Sequence, residues 1–164
     1  MLLINCIYKK QGLDMLGSNN RDDNTLKDIS FYEALSNGNY PIVQQYIESG
    51  MVDINGYCDS GDFAGFTPLG ISILQSNLDI VNLLLENKVD VNKTSKGRSP
   101  LHIAIVKERL DIVQILLNKG ADVNILDHQQ RSPLTYGIQV LHNSRHQNLW
   151  QTLEPYNVRI TAGK

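Results

Sequence analysis

The 164-residue chain has little of what marks most functional classes. Its two cysteines, Cys6 and Cys58, are too few for a disulfide scaffold, and a chain of this length can build a core without one. They are read as free thiols in a reducing compartment. Acidic residues number 17 against 15 basic ones, a formal net charge of −2, which excludes a global bias toward nucleic acid or anionic membrane. No apolar run approaches the roughly 20 residues needed to cross a bilayer. The apolar opening, residues 1–8, is short, and Lys9 and Lys10 follow it where a secretory leader carries its charge first. A soluble chain acting in the cytoplasm is expected. Hydrophobic residues at 41% and charged residues at 20% suit a packed core rather than a disordered tail.

Catalytic and metal-binding signals are also scarce. No glycine-rich phosphate loop, nucleophile elbow or paired-cysteine zinc motif occurs. His142 and His146 have the spacing of two imidazoles on one helix face, but no third ligand of matching type lies near them in sequence. Asp59-Ser60-Gly61-Asp62 lacks the alternating oxygen ligands and distal glutamate of a calcium loop. Asn92-Lys93-Thr94 is a glycosylation sequon only in a secreted chain. An enzyme is not expected, and no metal, cofactor or catalytic residue is assigned.

What the chain does contain is a repeat. Gly65-Phe66-Thr67-Pro68-Leu69-Gly70-Ile71-Ser72-Ile73 aligns with Gly97-Arg98-Ser99-Pro100-Leu101-His102-Ile103-Ala104-Ile105, and again with the stretch from Gln130 through Pro133 to Ile138. The prolines step by 32 and then 33 residues. Leu78-Asp79-Ile80-Val81 matches Leu110-Asp111-Ile112-Val113 in the same register, and Val89-Asp90-Val91-Asn92 matches Ala121-Asp122-Val123-Asn124. A degenerate first copy runs from Phe31 through Pro41 to Asn55.

Each block has a physical role. A hydroxyl followed by proline suits a helix start, where the missing N–H costs nothing. Leu110, Ile112, Val113, Leu116 and Leu117 fall at helical spacing and form a broad apolar face. Gly120 stands where a left-handed residue ends that helix, and Lys88 holds the equivalent place one repeat earlier. A single helix pair cannot bury its apolar face, whereas stacked copies share a continuous core.

The Thr-Pro-Leu and Ser-Pro-Leu-His-x-Ala blocks, the Ile-Val-x-x-Leu-Leu run and the Gly-Ala-Asp-Val-Asn closure resemble the ankyrin-repeat family over residues 28–140. The resemblance implies an all-α ankyrin-repeat solenoid of three to four stacked helix-turn-helix units with β-hairpin fingers, capped at both ends. The expected divisions are a non-repeat segment at 1–27, an array at 28–140 and a capping helix and tail at 141–164. Within the array the units fall near 28–62, 63–94, 95–127 and 128–140 onward. Trp150, with Leu149 and Leu153, is expected to seal the last unit.

One departure from the period is informative. Phe31 to Leu69 spans 38 residues, so the first copy carries an insertion, mostly between Asn55 and Gly65. The expectation is an elongated first finger with Tyr57, Phe63 and Phe66 near its tip, used either for binding or to cover the second repeat.

The resemblance further implies a non-catalytic protein-binding module that acts through fingers and inner helices. Carried over by position, the contacts are Tyr57, Asp59, Phe63 and Phe66 on the first finger. Lys93, Ser95, Lys96 and Arg98 follow on the second, and His128, Gln129 and Arg131 on the third. Leu74, Gln75, Val106 and Lys107, with Ser36 and Asn37, come from the inner helices. The basic second finger suggests a protein partner with an acidic patch, bound by a chain that is monomeric when free. A small inhibitor of the immunity type, an adaptor and an effector delivered into a host cell all fit. Sixteen asparagines and sixteen isoleucines suit an AT-rich bacterial, protist or viral genome.

Overall fold

The computed structural model describes residues 29–140, 148–149 and 151–156. The expectations for residues 1–27, for Trp150 and for the pair His142 and His146 lie outside the described residues. Short inner helices alternate with longer outer ones: α1 (Phe31–Ser36), α2 (Tyr40–Glu48), α3 (Pro68–Leu74), α4 (Leu78–Glu86), α5 (Pro100–Val106), α6 (Leu110–Asn118) and α7 (Pro133–Val140). Pro68, Pro100 and Pro133 each begin an inner helix. The hydroxyls before them act as caps: Thr67 Oγ1 accepts from the Gly70 N–H at 3.1 Å, Ser99 Oγ from His102 at 3.4 Å and Ser132 Oγ from Thr135 at 3.2 Å. The outer helices α2 and α4 begin instead at asparagine caps, Asn39 and Asn77.

Inner helices stack in one row, α1 on α3, α3 on α5 and α5 on α7, and α1, α3 and α5 each pack against the outer helix that follows. The buried face is the apolar stripe read from the sequence. Ile80 and Leu84 of α4, Ile112 and Leu116 of α6, and Leu69, Leu101 and Leu134 of the inner row all belong to one continuous core. Leu149 and Leu153 join that core, and residues 151–153 run into a 3-10 turn, Glu154–Tyr156, that contains Pro155. Gln114 Nε2 donates to Tyr156 Oη at 2.9 Å and fastens this turn to α6. Asparagines tie neighbouring loops together: Asn55 Oδ1 accepts from the Asp90 N–H at 2.7 Å, and Asn92 Oδ1 from the Asp122 N–H at 2.8 Å. The same contact engages the sequon asparagine.

Left-handed residues close every outer helix: Gly50 at φ 66°, Lys88 at 61° and Gly120 at 87°. A side chain in this region crowds its own carbonyl, so Lys88→Gly is expected to stabilise the array by about 1 kcal/mol. Thermal melting should show a rise of about 2–4 °C, and an unchanged or lowered midpoint would mean that Lys88 is not strained.

The fingers are tight turns of the hairpin type, with no named strands flanking them among the described residues. Ser95 and Arg98 form an isolated antiparallel bridge, and no β-strand occurs among the described residues. Between them Lys96 and Gly97 both have positive φ, 47° and 75°, which is the pattern of a two-residue turn with inverted dihedrals. In the third finger the Asp127 N–H donates to Arg131 O and the Gln130 N–H to Asp127 O, with Gln130 left-handed at φ 59°. That loop has three residues and a bulge. The proline spacing of 32 and then 33 therefore records a two-residue tip followed by a three-residue one. In the first finger the Cys58 N–H donates to Phe66 O and the Gly65 N–H to Cys58 O, closing the inserted loop around the 3-10 turn Gly61–Phe63.

Candidate functional site

The fingers contact one another in sequence. The Lys96 N–H donates to Gly65 O at 3.2 Å, which joins the second tip to the base of the first. A methyl group at Gly97 would lie 3.3 Å from His128 Nδ1, so the third finger rests closely against the second. Over this backbone the cationic side chains lie on aromatic rings. Lys93 Nζ stands 4.6 Å from the Tyr57 ring centre and Lys96 Nζ 5.0 Å from that of Phe66. The guanidinium carbons of Arg98 and Arg131 stand 5.1 and 4.4 Å from Tyr136. Such contacts fix flexible heads and leave their charge available.

Charge compensation is uneven along the row. Arg109–Asp111 and Arg131–Asp127 form ion pairs. Arg131 is held by Asp127 through two hydrogen bonds of 2.9 and 2.7 Å and also reaches Gln139. Lys93, Lys96 and Arg98 have no carboxylate partner within the described residues. Asp127 is itself buried, and its Oδ1 accepts from the Gln129 and Arg131 N–H groups. Burial alone would raise its carboxyl, but the Arg131 side chain and these backbone donors outweigh it and hold the group at about 2.

His102 secures the third finger from beneath. Its Nδ1 accepts from the Ser99 N–H at 3.2 Å, so Nε2 carries the proton and donates to Arg131 O at 3.0 Å. Burial lowers its pKa, against the raising effects of the Arg131 carbonyl and Asp127. In the preceding repeat the same slot holds Gly70, and the second finger fills the space. Ser95 Oγ accepts from the Thr67 N–H at 3.0 Å, and a methyl group on Gly70 would collide with it. One repeat fastens its finger with a histidine from below, the other with a serine from above.

The residues singled out in the sequence separate into groups. Tyr57, Asp59, Lys96, His128 and Gln129 are exposed, and Lys93, Arg98 and Arg131 are half-buried. Phe63 and Phe66 meet edge to face at 6.3 Å and pack against the core while half-buried. Ser95 is the exception: at 1% exposure its side chain is committed to Thr67 and cannot present itself to a partner. Leu74, Gln75, Val106 and Lys107 stand at the far ends of α3 and α5, about 10 Å along each helix from the fingers at 1.5 Å per residue. Ser36 and Asn37 hold the same place on α1. Tyr136 is the residue that sequence reasoning missed. It occupies the slot of Ile71 and Ile103, and an aromatic ring replacing aliphatic ones there was the available signal.

No group of three or more histidine, cysteine, aspartate or glutamate side chains able to hold a metal occurs among the described residues. No helix among them is long and apolar enough to cross a membrane. No curated protein matches the chain. The family model "Ankyrin repeats (3 copies)" matches residues 31–127, more than half of the sequence. Three copies agree with the inner and outer helix pairs α1/α2, α3/α4 and α5/α6 described above. Arrays of this kind are protein-interaction modules and are generally non-catalytic. The chain belongs to the ankyrin-repeat family.

Proposed function

We propose that the array binds a protein partner through its finger row, with the first and second fingers forming the main contact, and that it inhibits that partner by covering its working surface. The observation that carries this reading is the row of Lys93, Lys96 and Arg98, each lying on an aromatic ring and none paired with a carboxylate among the described residues. A partner with an acidic patch beside an apolar pocket for Tyr57 complements it. The stacked helices hold the tips in place before contact, so little ordering entropy opposes binding. The exposed helix-end residues Gln75 and Lys107 extend the surface where a partner is broad enough to reach them. Binding by occlusion requires no second functional domain and is consistent with a chain acting as a free monomer in the cytoplasm.

Affinity capture followed by kinetics on the isolated partner tests the proposal. Lys96→Glu together with Arg98→Glu is expected to slow association at least tenfold at low salt and much less at high salt, because steering charges act through an ionic-strength-dependent field. Equal association rates for the two chains would remove the electrostatic basis. A partner whose activity is unaffected by saturating array would remove the inhibitory one.

A further inference from the structure

Arg98 differs from every other cation of the finger row. Its guanidinium lies on Tyr136, a buried ring that the Arg131 guanidinium also approaches. Its Nε is buried with no hydrogen-bond acceptor. Arg131, on the same ring, is neutralised by Asp127, and its terminal nitrogen reaches Gln139. Arg98 has no such carboxylate among the described residues. A buried, unpartnered N–H is uncommon, and because this one is closed to solvent, any outward contact of the half-buried side chain falls to its terminal nitrogens. Arginine also presents its donors as a rigid planar fork that matches a carboxylate in geometry, which a lysine head does not.

We infer that Arg98, oriented by Tyr136, is the specificity-determining residue of the surface and reads one aspartate or glutamate side chain of an acidic segment in the partner. The inference rests on the protein-binding reading above and narrows it to one anchor. Lys93 and Lys96 on the same finger supply attraction along the acidic segment, and Arg98 fixes its register. Arg131, on the same ring, is already paired with Asp127. A nucleic acid is the less suited occupant, because the chain as a whole carries a formal charge of −2 and the row offers a single unpaired guanidinium fork.

Panning a displayed random-peptide library against the full chain tests this. The enriched peptides are expected to share an acidic residue at one position. Replacing that residue with its amide should weaken binding at least tenfold in the native chain and have little effect in Arg98→Gln, so that the two changes are not additive. Arg98→Lys keeps the charge and is expected to recover only a small part of the affinity. Lys119→Gln, which removes one positive charge at the exposed end of α6, should change binding less than twofold. Amidating the peptide C-terminus should have no effect. Enriched peptides that lack a shared acid, or that bind Arg98→Gln as well as the native chain, would overturn the inference while leaving protein binding in place. No enrichment at all, or tighter binding of a single-stranded oligonucleotide, would overturn it as well. Should Arg98→Gln melt well below the native chain, the acid-to-amide change in the peptide alone decides.

Discussion

Leu116→Ala and Leu101→Ala are each expected to lower the free energy of unfolding by about 2–5 kcal/mol, the usual range for removing a leucine from a close-packed core. Both side chains are among the largest fully buried ones, and both belong to the third repeat, which has the second repeat on one side and α7 on the other. Leu101 lies on α5, which packs against α3, α6 and α7, so a cavity there weakens more than one seam. In a repeat array each unit is stabilised mainly by its neighbours, and damage to a central seam is not confined to one unit. Urea denaturation followed by far-ultraviolet circular dichroism measures the effect. Leu110→Ala provides the contrast: Leu110 is 37% exposed at the start of α6, and its loss should change stability by about 0.5 kcal/mol or less. Equal midpoints for all three variants would mean that the helical register is misplaced.

Asp127→Ala is expected to cost about 3 kcal/mol. The carboxylate is buried, accepts two backbone N–H groups and pairs with Arg131, so its removal strands a cation and two donors together. Asp127→Asn keeps an oxygen for the backbone donors and should cost less. Its pH dependence separates the charge from the shape. Because the carboxyl lies at about 2 in the folded chain, below its ordinary value of 3.8, its stabilising contribution is complete above pH 4. That contribution is lost as pH falls from 3.8 toward 2, where the unfolded chain takes up a proton before the folded one. The difference in melting temperature between the native chain and Asp127→Asn should therefore shrink below pH 4. A difference constant from pH 7 to pH 2 would show that the charge contributes nothing.

The repeating helices were legible because their determinants are local. A hydroxyl, a proline and apolar residues at helical spacing recur at one period, and each acts within a few residues of itself. Pro68, Pro100 and Pro133 accordingly begin the same element. The finger row was legible only in part, because side-chain roles there depend on the neighbouring repeat. Ser95 reads as a tip residue until Gly70, 25 positions earlier, leaves a space that its hydroxyl fills. Asp127 occupies the equivalent slot and instead clamps its own loop. Tyr136 was overlooked because it lies on an apolar helix stripe, where an aromatic side chain reads as core. It is core, and it also presents its ring to two arginines from successive fingers.

The asparagine links between loops carry a mechanical consequence. Asn55 holds the backbone of the next repeat by one hydrogen bond, and Asn92 by two. Tension applied to the ends of the array would load the seams in series, each bearing the force through its core packing and its asparagine bonds together while the extension is divided among them. The molecule should behave as a short spring that lengthens by small equal steps, so that a bound partner pulled away meets a compliant surface before any single seam opens.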